Sequence, residues 1–229
     1  MHFQDVIRII NLILCDKDAT PSLRNAAVEC LEQWLRLPGI DLAQWQPALL
    51  PFLGNPSDRA ALARILNVVS AHPDLPFIEN LAVDLNTFLA SITCSVIMEQ
   101  LRMLSKQHSE ISEESRAGYI AELEEYGLLV AALAEFVEVT ISPLLMGCVE
   151  KRSTEVLRLL CTFFEKISLW PGIYPIEEIV SDAAEMFWNA LREDLLSLVG
   201  SRVSESVQKE VRFGFMNALR FSFKEVRFL

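Results

Sequence analysis

The chain has 229 residues, of which 52% are hydrophobic and 22% are charged. It is long and apolar enough to fold around a sizeable core, which excludes global disorder. Its 31 acidic and 20 basic residues give a formal net charge of −11, which disfavours direct contact with nucleic acid and favours basic partners, although acidity also serves solubility alone.

The cysteines and the apolar segments bear on the compartment. The chain has 5 cysteines, an odd number, with no C-x-x-C pair, and most of them lie in apolar helical patterns. This usage is typical of buried free thiols in a reducing compartment. The N-terminal segment 2–15 has an amphipathic pattern unlike a signal peptide, and we expect no apolar run of membrane-spanning length. We therefore expect a protein of the cytoplasm and nucleus that does not contact a membrane.

The first half of the chain alternates helical apolar spacing with turn residues. The spacing predicts helices over 2–15, 21–36, 41–53, 57–71 and 76–106. Thr20 and Pro21 are placed as the N-cap and first residue of the second helix, and Ser57 as the cap of the fourth. The fifth helix is expected to consist of two pieces that meet near Ser91.

The second half continues the same alternation. Helices are predicted over 113–140, 153–169 and 176–199, and one more helical pattern lies in 202–229. The most distinctive stretch is WPGIYPIEEIVSDAAEMFWNALREDLLS, from residue 170 to residue 197. Phe187 belongs to its apolar ridge, Trp188 widens that ridge, and the charged residues 192–194 share the opposite side. We interpret the two aromatic side chains as core packing.

The order of elements favours one fold class. No pattern of period two competes with the helices, and no long glycine- or serine-rich linker divides the chain. Helices alternating with short, proline-marked turns predict an all-α fold, a right-handed α-solenoid of about five HEAT-like antiparallel helix pairs. We expect a continuous repeat block over 1–201 and an atypical C-terminal helix, a partial repeat, over 202–229.

Three segments, in the same order along the chain, resemble the karyopherin-β nuclear transport receptors of the importin-13 and transportin-3 branch. The segment GIYPIEEIVSDAAEMFWNALREDLLS resembles the G-x-Y-P turn of that branch and the helix after it, which carries Phe-Trp and an acidic pair. The segment NAAVECLEQWLRLPGIDL, from residue 25, resembles a C-x-x-x-W helix and turn. The segment YGLLVAALAEFVEVTISPLL, from residue 126, is similar in character to a long apolar helix of the family.

The resemblance implies a non-catalytic protein-binding solenoid without a cofactor, which carries protein cargo under the control of the Ran GTPase. Members of the family are much longer, so the chain would correspond to a block from their middle. The tail departs from the family pattern because it is rich in phenylalanine and arginine. We expect it to fold back on the last pair or to associate with a second copy through 213–228.

The densest acidic run lies between residues 109 and 125. Its acidic residues are Glu110, Glu113, Glu114, Glu122, Glu124 and Glu125, accompanied by Arg116. One interpretation is a solvated turn followed by the acidic first turn of a helix. The other is a partner-binding patch on the concave side of the solenoid, which meets basic cargo or the basic rim of Ran. Glu193 and Asp194, the acidic pair of the resemblance, are added to the partner-binding candidates.

Motifs of catalysis and metal binding are not found in the sequence. The 3 histidines are far apart, no Cys/His cluster occurs, and neither a nucleophile elbow nor a phosphate-binding glycine loop is present. We therefore predict no catalytic, cofactor or metal site. Two other classes stay open at this point: a cytosolic HEAT scaffold for another complex, and a helical enzyme, which would need a pocket with converging polar groups.

Overall fold

The computed structural model describes residues 3–16, 18–37, 39–46, 48–49, 58–108, 115–151, 154–170 and 179–198. Every regular element within these ranges is helical, which confirms the all-α prediction. The helices are α1 Phe3–Cys15, α2 Pro21–Leu35, α3 Arg59–Ser70, α4 Glu79–Phe88, α5 Cys94–His108, α6 Arg116–Lys151, α7 Glu155–Ser168 and α8 Ile179–Leu198. The predicted tail helix over 202–229, with its phenylalanine-rich part 213–228, lies outside the described residues.

The helix starts follow local capping rules. The Thr20 side chain accepts a hydrogen bond from the Leu23 N–H at 3.3 Å, and Pro21 is the first residue of α2, as predicted. The cap of α3 is Asp58, whose carboxylate accepts from the Ala61 N–H at 3.2 Å, so the assignment of Ser57 was wrong. Serine and aspartate cap equally well, and spacing alone does not separate two such neighbours.

The predicted helix over 41–53 is described only in its first part. Asp41 caps a 3-10 turn, Leu42–Trp45, by accepting from the Ala43 N–H at 3.1 Å. The Leu42 and Trp45 side chains are fully buried. The segment therefore contributes to the core through its first turn, and residues 47 and 50–53 of the prediction lie outside the described residues.

The helical rod from α4 to α5 contains the expected break. A π-helical turn, Leu89–Thr93, joins the two helices and includes Ser91. The hydroxyls of Thr87, Ser91 and Ser95 donate to carbonyls four residues earlier, at 2.7, 2.7 and 3.2 Å. Such side-chain bonds compete with the regular ladder and bend helices, which gives the break its physical reason.

Helix α6 is longer than its pattern predicted. The prediction ended at residue 140, whereas the helix runs to Lys151 and contains Pro143. A proline inside a helix removes one N–H and crowds the carbonyl four residues earlier. Pro143 is buried, and α6 packs against α3, α4 and α8, so tertiary contacts outweigh the local penalty.

The helices pack both on consecutive neighbours and on helices further along the chain. In one row, α2 packs against α3, α3 against α6, and α6 against α8. Three further helices pack against members of this row: α1 against α2, α4 against α6, and α7 against α8. Helix α5 and the π turn pack against α7. Helix α6 is the centre of this packing, since it contacts α3, α4, α7 and α8.

One continuous core runs through these helices. Its largest fully buried side chains include Trp45, Phe136, Phe164 and Phe187, and each such side chain stabilises the fold by about 1.5–3 kcal/mol. Phe164 and Phe187 stack with their ring centroids 4.2 Å apart. Trp188 is 8% exposed, and its Nε1–H donates to Ser168 Oγ at 3.0 Å. The prediction that Phe187 and Trp188 are core residues is confirmed.

Two helical stretches are long and apolar enough to cross a membrane, so the prediction that no apolar run reaches that length was wrong. They are Asn80–Leu104, with a mean hydropathy of 1.6, and Arg116–Gly147, with a mean hydropathy of 1.9. The apolar windows are 56% and 67% buried inside the protein. A core helix of a soluble protein passes the same test, so these stretches are weak evidence for a membrane.

Candidate functional site

The acidic residues singled out in the sequence fall on two helices. Glu122, Glu124 and Glu125 lie near the start of α6, where Glu124 and Glu125 are exposed. Glu193 is exposed near the end of α8, and Arg192 Nη2 lies 3.6 Å from Glu193 Oε1. Its neighbour Asp194 is half-buried. The remaining candidates, Glu110, Glu113 and Glu114, lie outside the described residues.

An arginine from another helix draws two of the α6 glutamates together. Arg59, the first residue of α3, donates from Nε and Nη2 to Glu125 Oε2 at 3.0 and 2.7 Å. Its Nη2 is also 3.8 Å from Glu122 Oε1. The Arg59 side chain is 19% exposed, against 53% for Glu125. Part of the acidic run is therefore neutralised by an intramolecular ion pair at the surface.

The same guanidinium lies over an aromatic ring. Arg59 Cζ is 4.4 Å from the centroid of the Tyr126 ring, a distance at which cation–π attraction is effective. Arg59 Nη1 donates to Tyr126 Oη at 3.2 Å, and this hydroxyl donates to Gln100 Oε1 at 3.2 Å. We call Arg59, Gln100, Glu122, Glu125 and Tyr126 the Arg59 cluster. It joins α3, α5 and α6.

The protonation states of the cluster follow from this geometry. Partial burial alone would lower the pKa of Arg59, but the hydrogen bond to Glu125 and the nearby Tyr126 and Glu122 raise it above its ordinary value. Partial burial raises the pKa of Tyr126, and the Arg59 cation offsets only part of this effect. The guanidinium therefore stays charged and the phenol stays a neutral donor at physiological pH.

A polar cleft of about 480 Å³ lies beside the cluster. It is lined by Ala19, Pro21, Arg24, Asn25, Asp58, Arg59, Ala60 and Glu125. The Asp58 carboxylate caps α3, and Arg24 Nη2 donates to the Asp16 carbonyl. Two guanidiniums and two carboxylates balance in charge, so the cleft is suited to recognising polar or charged groups of a partner.

A second cleft, of about 440 Å³, lies where α2 and α3 end. It is lined by Leu35, Arg36, Leu37, Gly39, Asn67, Val68, Ala71, His72, Pro73 and Asp74. His72 is buried, and its Nδ1 accepts from the Asp74 N–H at 3.3 Å. This histidine closes the turn after α3 and belongs to the local backbone structure.

Arg59 is the functional candidate that the sequence had not indicated. It is 66 residues from Glu125, so no spacing rule relates the two side chains. One signal was present, because a cation at the first position of a helix is opposed by the helix dipole. An arginine in that place requires compensation from elsewhere in the fold, and the α6 glutamates supply it.

Two of the cysteines contradict their prediction. Cys94 and Cys161 are buried free thiols, as expected, whereas Cys15 and Cys30 are free but exposed. The latter two lie on the outer faces of α1 and α2, where the apolar pattern is wide enough to include surface positions. The Cys148 side chain lies outside the described part of the structure.

No group of three or more histidine, cysteine, aspartate or glutamate side chains within the described ranges could hold a metal ion. Comparisons of the chain with protein-family models, with curated proteins and with solved structures find no match.

Proposed function

We propose that the chain is a block of a right-handed, HEAT-like α-solenoid that binds proteins without catalysis, in a nuclear transport receptor of the karyopherin-β kind. The observation that carries the proposal is the packing order, in which α2, α3, α6 and α8 contact one another in succession and α1, α4 and α7 pack against members of this series. Stacked helix pairs bury their apolar faces in this way. The three collinear resemblances in the sequence add the transport role under Ran control.

The partner surface that we propose lies at the start of α6. Glu124 and Glu125 are exposed there, and the side chain of Leu128, one turn further on, is 66% exposed. A basic partner with an apolar side chain complements this surface in both charge and polarity. Attraction of this kind governs association rate and salt dependence more than final affinity.

The first experiment asks whether binding depends on the nucleotide of Ran. The chain and its natural full-length product are immobilised and offered Ran loaded with GTP or with GDP. The proposal expects the full-length product to retain the GTP form preferentially. Equal retention of both forms, or of neither, by the full-length product would count against transport and leave a scaffold for another complex.

The second experiment tests the acidic surface with charge reversals. Glu124→Lys should weaken binding of a basic cargo about tenfold at low salt and much less at high salt. The matched control is Glu138→Lys, on an exposed position of the same helix. Glu125 is less suitable for this purpose, because its reversal also removes the partner of Arg59. Equal effects of the two substitutions would show that Glu124 does not contact the basic partner and lies on a solvated surface.

A further inference from the structure

The two long helical rods at the centre of the molecule form an antiparallel hairpin. Three contacts establish its register: Val83 with Gly147, Asn86 with Thr140, and Gln100 with Tyr126. Because the first residue number rises while the second falls, the rod of α4, π turn and α5 runs opposite to α6. The three contacts differ in kind: the first is a close apolar contact, and the other two are hydrogen bonds between side chains.

The end of the hairpin formed by α4 is held tightly. A Cβ atom at Gly147 would lie 2.7 Å from Val83 Cγ2, so the α4 side chain contacts α6 where only glycine leaves room. Helix α4 packs closely along α6. This end of the hairpin is therefore tightly packed.

The middle of the hairpin is polar and lies between two helix irregularities. Asn86 and Thr140 are fully buried, and Asn86 Nδ2 donates to Thr140 Oγ1 and to the Ala82 carbonyl, both at 2.8 Å. The π turn begins one turn beyond Asn86, and Pro143 lies about one turn beyond Thr140. Helices bend at π turns and prolines, so the rods can pivot here.

The far end of the hairpin is held by both apolar and polar contacts, since α5 buries Ile97, Leu101 and Leu104 in the core. Beyond the π turn, the rod packs against α7. Its contact with α6 includes the hydrogen bond from Tyr126 Oη to Gln100, and Arg59 donates to the same hydroxyl. Tyr126 is buried, whereas Arg59 and Gln100 are partly exposed, so these hydrogen bonds lie at the edge of the core. Water replaces a hydrogen-bond partner at such an edge more readily than it enters the packed contact at Gly147.

We propose that α5 opens from α6 about the Asn86–Thr140 pair, and that the Arg59 cluster is the latch that holds it closed. A cationic group that reaches Glu125 competes with Arg59 for the carboxylate and thereby weakens the hold of Arg59 on Tyr126. This coupling rests on the proposed function, in which the start of α6 meets a basic partner. The latch itself rests on intramolecular contacts alone.

The test is amide hydrogen exchange of the whole chain, resolved by segment. Tyr126→Phe removes the hydroxyl and keeps the ring under Arg59, and Gln100→Ala removes the acceptor from the other side. Each should speed exchange of α5 amides about fivefold and leave α4 unchanged. The control is Gln44→Ala, since the Gln44 amide donates to Asp41 within its own turn. Unchanged exchange in α5, or a uniform rise along the chain, would overturn the latch.

A second arm tests the coupling with a lysine-rich octapeptide added to the unsubstituted chain. Peptide binding should speed exchange in α5 as Tyr126→Phe does, and the effect should disappear in high salt. Binding without faster exchange would overturn the coupling. Failure of the peptide to bind would overturn both the coupling and a basic partner in the proposed function, while the Tyr126→Phe result still decides the latch.

Discussion

At the scale of single residues, pairs of polar side chains link helices that are distant in sequence. Glu32 of α2 is only 7% exposed, and its carboxylate accepts two hydrogen bonds from Arg64 of α3, the one from Nε at 3.1 Å. The hydrogen bond to Glu32 raises the pKa of Arg64. A carboxylate in such a place is tolerated because its charge is paired, and it becomes a liability when the partner is removed.

Arg64→Met should therefore destabilise the protein by about 1–3 kcal/mol, because it leaves the buried carboxylate of Glu32 unpaired. Urea unfolding followed by circular dichroism measures the change. Arg102→Met is the control, because the Arg102–Glu99 pair is exposed on α5 and should contribute little to stability. Adding Glu32→Gln to Arg64→Met should recover most of the loss. An equal loss in both single variants would contradict the assignment.

Asp194 makes a prediction about pH. Partial burial, with a contribution from Glu193, raises the pKa of the Asp194 carboxyl above its ordinary value. The folded state then binds this proton more tightly than the unfolded state, so stability falls as pH rises from the ordinary aspartate pKa through the raised one. Asp194→Asn should raise the urea midpoint at pH 7, and the gain should disappear at pH 3. Asp182→Asn, at an exposed position of α8, should show no gain.

At the scale of elements, the existence of the helices was predictable and their ends were only partly so. Apolar spacing reflects which side of a helix is buried, and it located α1, α2, α7 and α8 to within a few residues. The extension of α6 through Pro143 was not predictable, because it depends on packing against three other helices. The role of Arg59 was not predictable for the same reason, since the side chains that it contacts come from a distant helix.

Two of the three glycines of α6, Gly118 and Gly147, offer a matched comparison of local and tertiary effects. A Cβ at Gly147 would collide with Val83, whereas a Cβ at Gly118 meets nothing within 4 Å. Gly147→Ala should cost about 1–2 kcal/mol through overpacking, despite the better helix propensity of alanine. Gly118→Ala should instead stabilise by about 0.5–1 kcal/mol.

Thermal or urea unfolding of the two glycine variants decides the comparison. Val83→Ala combined with Gly147→Ala should recover part of the loss, because it removes the colliding methyl groups. A stabilising effect of Gly147→Ala would show that α4 and α6 are not in close contact at this point.

At the scale of the whole molecule, burial divides the thiols into two classes. Cys15 and Cys30 are exposed, whereas Cys94 and Cys161 lie in the core. Burial raises the pKa of the Cys94 thiol to about 12, so its reactive thiolate is scarce at neutral pH. Brief alkylation at pH 7.5 should label the first two at least a hundredfold faster than Cys94, as measured by peptide mass mapping.

The thiol comparison has its own control. In concentrated urea, all the cysteines should react at similar rates, because burial no longer distinguishes them. Rapid labelling of Cys94 in the native chain would contradict its burial in the core.

The length of α6 has a mechanical consequence. A helix of 36 residues is about 54 Å long, and Glu125 lies about 22 Å from Thr140 along its axis. A tilt of only about 5° at Thr140 would move Glu125 by about 2 Å, enough to separate it from Arg59. A slight change in the curvature of α6 would thus make or break the ion pair between Glu125 and Arg59.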